Sequence, residues 1–146
     1  MKDTLIIPSI DTPPRNIHRV NGLQVAVFSD GAIFFQVKDI AIGLGHCFIR
    51  QTKKGTVTYP NWSNIDDALR INEHIFNVDT KLRNKGLFVR DDVALRFIAR
   101  SVDTARDEDW MLRRRSFKDD VFLPTLRQLQ ALVVQTNLLI KERRHA

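Results

Sequence analysis

The chain has 146 residues, 43% of them hydrophobic and 27% charged, the size and make-up of one self-sufficient folding unit, which excludes global disorder. A formal net charge of +6 and a sequence pI near 9.9 suit an anionic partner, most often nucleic acid. The one cysteine, Cys47, excludes an intrachain disulfide framework and an all-cysteine metal site. No stretch approaches the roughly 20 apolar residues of a transmembrane helix, and Leu5-Ile6-Ile7 is too short an apolar run for a signal peptide, so a cytoplasmic protein without a membrane partner is expected.

Along the chain, Pro8, Pro13 and Pro14 oppose both helix and central strand and mark 1–19 as an N-terminal arm. Residues 20–37 read as a β-hairpin. Leu23, Val25 and Val27 alternate, Ser29-Asp30-Gly31 supplies a turn, and Ile33, Phe34, Phe35 and Val37 return. A short helix over 37–44 follows, with Ile40, Ala41 and Leu44 at helical spacing and Gly45 as its stop. Residues 46–64 read as loop, within which Thr56 to Tyr59 has strand character.

Ser63 or Asn64 is a candidate cap for a helix over 65–75. Gly86 to Arg90 reads as a short strand, and Asp91 opens a helix with Val93, Leu95, Phe97, Ile98 and Val102 apolar. Asp107-Glu108-Asp109 starts another, running through Trp110 to Phe117. Pro124 is tolerated only in a first turn, so the last helix is expected to begin near Leu123. Leu126, Leu129, Val133, Thr136 and Ile140 follow a 3-4 spacing on it, a candidate oligomerisation seam that favours a homodimer. The expected fold class is α+β: a small antiparallel sheet with an N-terminal β-hairpin packed on helices, and a long C-terminal helix. The expected organisation is an arm at 1–19, a domain over 20–122 and the helix over 123–146.

Signals of catalysis are poor. There is no phosphate loop, no HExxH and no nucleophile elbow. The four histidines are scattered, and the adjacent pair His46-Cys47 cannot by itself surround a metal. The acidic pairs fall mostly where helix N-termini are expected, which capping and dipole interactions explain. No enzyme activity, cofactor or metal is expected.

Three basic constellations carry more information: Arg50, Lys53 and Lys54 with Gln51 and Thr52 on a loop; Lys81, Arg83 and Lys85; and Arg113, Arg114 and Arg115. Converging cations bind phosphates, and polar side chains beside them reach base edges. These eleven positions are the candidate DNA-binding residues. Trp62, Trp110 and most of the phenylalanines are expected in the core.

The run Phe34-Phe35-Gln36-Val37-Lys38-Asp39-Ile40-Ala41-Ile42-Gly43-Leu44-Gly45-His46 resembles the opening of the Bro-N domain of phage antirepressors and baculovirus repeated-ORF proteins. Phe34 and Phe35 fill its aromatic slots, Lys38-Asp39-Ile40 its middle and Leu44-Gly45 its helix ending. Gly86-Leu87-Phe88 is similar to the family's strand before a helix, and Leu123-Pro124-Thr125-Leu126-Arg127 to its Leu-Pro-x-Ile-Arg element. With Pro124 matched, Phe117 takes the usual Trp slot and Phe122 the usual Val slot. Val121 replaces an expected acid, Arg106 to Arg115 departs from the pattern, and 46–85 does not match. The resemblance implies a phage or prophage regulator of transcription that binds DNA in the cytoplasm of a bacterial host. It leaves as the alternative an antirepressor that sequesters a regulatory protein without touching DNA. Many members of the family carry a second, C-terminal domain, whose place the last helix is expected to take.

Overall fold

Side chains on a strand alternate between its two faces, so Leu23, Val25 and Val27 share one side and Ala26 and Phe28 the other. The computed structural model describes residues 17–28, 30–65, 80–81 and 88–145, with 80–81 and 138–145 by backbone alone. Its chain forms β1 (His18–Val20), β2 (Leu23–Val27), β3 (Ile33–Gln36), α1 (Val37–Gly43), β4 (Cys47–Thr52), β5 (Gly55–Pro60), β6 (Thr80–Lys81), β7 (Phe88–Arg90), α2 (Asp91–Asp103), α3 (Glu108–Phe117), a π-helical segment (Lys118–Phe122) and α4 (Leu123–His145). The architecture is α+β, with antiparallel strand pairs and the expected N-terminal hairpin and long C-terminal helix.

The main sheet has the order β1-β2-β3-β7-β6. β1 turns into β2 at Asn21-Gly22, both at positive φ (52° and 83°), the conformation that a two-residue hairpin turn demands. His18 and Arg19, expected in the arm, are therefore strand residues, paired with Val25 and Gln24. β7 enters from far along the chain to flank β3, with Phe35 opposite Val89.

Leu23, Val25, Val27, Ile33, Phe35 and Val89 build the larger core with Ile40 and Leu44 of α1, Val93, Phe97 and Ile98 of α2, and Phe122, Leu126 and Leu129. Phe35 and Phe122 meet with ring centroids 4.8 Å apart. Ala26, Phe28, Phe34 and Phe88 form a second cluster on the opposite face.

Four further expectations change. Leu126 and Leu129, expected at a seam between two chains, are 8% and 1% exposed and belong to this domain's own core. Val133 packs against that core, and Thr136 donates its hydroxyl to the Leu132 carbonyl at 2.9 Å; the Ile140 side chain lies outside the described residues. The first half of α4 is thus part of the domain, and the expected boundary at 122 does not separate it. Its stripe is needed at home because the sheet face would otherwise be bare.

Second, α3 and α4 are not separated by a loop. The chain stays helical through the π segment, and Leu123 N–H donates to the Lys118 carbonyl five residues back. Pro124 brings no N–H and its ring crowds the carbonyl four residues earlier. The wider π turn just before it relieves that clash without ending the helix. Third, 46–64 is mostly hairpin, formed by β4 and β5. Fourth, a helical turn at 62–65 begins a few residues early. Asn61 caps it, its Oδ1 accepting from Asn64 N–H at 3.3 Å; the remainder of the expected 65–75 helix lies outside the described residues.

Candidate nucleic-acid interface

The β4–β5 hairpin is a two-stranded ribbon with nearly every residue exposed. Its turn is Lys53-Lys54, and Gly55 beyond it adopts φ 120°, where L side chains are strained. Thr52 staples the turn: its hydroxyl donates to the Gly55 carbonyl at 2.8 Å and accepts from Lys54 N–H at 3.2 Å. This takes Thr52 out of the expected base-contacting set. The two lysines are left at the tip, both exposed.

Register fixes what each face of the ribbon carries. Phe48 pairs with Tyr59, and Arg50 with Val57, on one face. The two rings stack at 5.7 Å and 27°, and the Arg50 guanidinium lies 5.0 Å from the Phe48 centroid and 5.9 Å from that of Tyr59. Such cation–π contacts hold a long side chain in place at small cost. Ile49 pairs with Thr58, and Gln51 with Thr56, on the other face. There Thr56 Oγ1 donates to Gln51 Oε1 at 3.2 Å.

The root of the ribbon is anchored by His46. Its N–H donates to the Ala41 carbonyl at 2.8 Å, and its carbonyl accepts from Asn61 N–H at 2.9 Å, closing the hairpin. The imidazole is buried, stacked on Phe97 at 5.6 Å, and its Nε2 is hydrogen-bonded with Ser101 Oγ at 2.9 Å. Burial, and then the positive Arg114, push its pKa down to about 4, so it is neutral near pH 7. A neutral side chain tied into the core fits an anchor for the ribbon.

Arg114 locks the same corner. Its Nε donates to the Leu44 carbonyl at 2.9 Å and its Nη1 to the Ser101 carbonyl at 2.7 Å. One guanidinium thus serves the C-terminal ends of α1 and α2, where carbonyls lack helical partners and the dipole favours a cation. Burial, and then Arg106, lower its pKa from the usual arginine value. Arg114 was expected to bind phosphate; it is a structural clamp instead.

Between ribbon and α3 runs a groove of about 600 Å³, lined by Cys47, Phe48 and Ile49 on one side and Arg106, Trp110 and Arg114 on the other. Trp110 has Arg106, Arg113 and Arg114 within 5.2 to 5.5 Å of its ring. Arg113 also pairs with Asp109 at 3.1 Å, and Arg106 with Asp107 at 3.7 Å. Arg115 is exposed. The structure therefore gathers Arg50, Gln51, Lys53 and Lys54 on one ribbon and diverts Arg114 and Thr52 to structural work. Arg83, Lys85 and the Lys81 side chain lie outside the described residues.

Two of the residues that shape this surface, Trp62 and Trp110, were expected in the core. Trp62 is 44% exposed, Phe48 40% and Tyr59 39%, and Trp110 walls the groove rather than filling the core. The signal in the sequence was Phe48 and Tyr59 flanking a basic turn at matched distances, as a hairpin requires. Among the described residues no three His, Cys, Asp or Glu side chains gather as a metal-binding group, and no helix is long and apolar enough to cross a membrane. Comparison of the chain with protein families, with curated proteins and with solved structures finds no match.

Proposed function

We propose that this protein is a DNA-binding transcriptional regulator of the antirepressor type, of phage or prophage origin, that acts without catalysis. One observation carries the DNA-binding part: an exposed two-stranded ribbon holds Arg50 on one face and Lys53 and Lys54 at its tip. A ribbon of this width fits the major groove of B-DNA, and converging cations neutralise phosphates and release counterions. The net charge of +6 acts in the same direction. Antirepressor character and phage origin rest on the resemblance of residues 34–46 to the Bro-N opening.

The test is the salt dependence of duplex-DNA binding by wild type and by the triple variant Arg50→Ala, Lys53→Ala, Lys54→Ala. Loss of up to about three phosphate contacts should flatten the slope of log K against log salt by as much as ~2.7. An unchanged affinity and slope takes the ribbon out of the interface.

A second reading has its own observation. Ile49 is 65% exposed on one face of the ribbon, Phe48 and Tyr59 are exposed on the other, and Trp62 is exposed just beyond it; aromatic side chains of this kind anchor protein partners. A protein-sequestering antirepressor would use these side chains. Its binding would survive nuclease treatment and respond weakly to salt.

A further inference from the structure

We infer that the ribbon face bearing Ile49, Gln51, Thr56 and Thr58 is a sequence-reading face selective for A·T base pairs, with Gln51 as the adenine reader; this rests on the DNA-binding reading above.

The two faces of the ribbon are chemically unlike. One carries Phe48, Tyr59, Arg50 and Val57, with its cation held over the two rings. Thr52, on that same face, is committed to the turn. The other carries Ile49, Gln51, Thr56 and Thr58 and no cation. All four are exposed; Ile49 also borders the groove facing α3, while Gln51, Thr56 and Thr58 do not line it.

Base edges in the major groove are told apart by donors, acceptors and the thymine methyl. Guanine is read chiefly by Arg or Lys, and this face has neither. Adenine is read by a side-chain amide that donates to N7 and accepts from the N6 amino group. Gln51 is the one amide on the face. The Thr56 hydroxyl donates to its Oε1, which holds the side chain against the ribbon and leaves the second lone pair of Oε1 and both Nε2 protons for a base. Ile49, Thr56 and Thr58 add methyl groups that suit contact with thymine C5-methyls. The lysines at the tip then lie toward the flanking phosphate strands, where they contribute affinity without sequence.

The experiment is selection from a randomised duplex library with wild type, Gln51→Ala and Lys53→Ala/Lys54→Ala. Wild type should enrich a motif containing an A·T pair whose preference over G·C, between about five-fold and about a hundred-fold, disappears in Gln51→Ala. The double lysine variant should recover the same motif at lower overall affinity. Thr56→Val, which frees the amide, should blunt the preference less than Gln51→Ala does. Thermal midpoints of all variants, each altered only at exposed positions, should match wild type. Wild-type binding without a motif, or the same motif from Gln51→Ala, overturns the inference and leaves the DNA-binding reading standing. Absence of any duplex binding overturns both.

Discussion

Trp110 lies so close over Gly45 that a Cβ there would collide with the indole ring. Gly45 also sits at φ 85°, where a side chain adds backbone strain. One glycine thus ends α1, turns the chain toward the ribbon and seats the tryptophan that walls the groove. Gly45→Ala should cost about 2–4 kcal/mol, combining the positive-φ penalty with overpacking. A shift in the urea midpoint of less than about 0.5 kcal/mol equivalent would show that α3 does not hold this position.

Stability should fall in acid through His46. Its folded-state pKa, held to about 4 by burial, lies below the ordinary 6.5, so the unfolded chain takes up the proton first as pH drops. The contribution of the neutral imidazole is complete above about pH 6.5 and is lost progressively down to about pH 4. That gap corresponds to about 3 kcal/mol. His46→Gln should flatten the stability curve across this window. A curve as steep in the variant as in wild type assigns the acid sensitivity to other groups.

Arg114 and Arg115 are neighbours with opposite fates. Removing Arg114 orphans the Leu44 and Ser101 carbonyls, and Arg114→Ala should cost about 2–4 kcal/mol, since hydrogen bonds from charged donors are among the stronger ones. Arg115 is exposed, and Arg115→Ala should stay within about 0.5 kcal/mol of wild type. Chemical denaturation of both variants side by side reads the contrast directly; equal effects would refute the clamp.

Leu129→Asp should abolish folding rather than dissociate an oligomer. At 1% exposure, the new carboxylate has no partner, and an unpaired buried charge exceeds what a small domain tolerates. Val134→Asp, on a side chain 57% exposed, should leave the circular dichroism and thermal midpoint unchanged. A folded Leu129→Asp protein would return the stripe to an intermolecular role.

Much of the fold was legible because periodicity reports burial directly. Leu23, Val25, Val27, Phe35, Phe97 and Ile98 lie where their spacing put them. Asn21-Gly22, among the strongest two-residue hairpin signals, sat inside the expected first strand, and with it β1 was missed. The ribbon was harder to read because both its faces are exposed, so neither strand shows a buried alternation. The fate of Arg114 was not legible at all. Three consecutive arginines are equivalent in sequence, and only the convergence of two helix ends on one of them separates it from its neighbours.

The π segment has a consequence for the phase of the whole helical run. In an unbroken α-helix, Phe122, Leu126, Leu129 and Val133 would sit roughly a third of a turn round from Trp110, Arg114 and Phe117. The extra residue accommodated between Lys118 and Phe122 takes back about 100° of that angle. Both sets then lie along one side of a single rod, one end gripping the root of the ribbon and the other lying on the sheet. Deleting one residue from this segment would leave every individual contact residue in the chain and still turn half of them toward water.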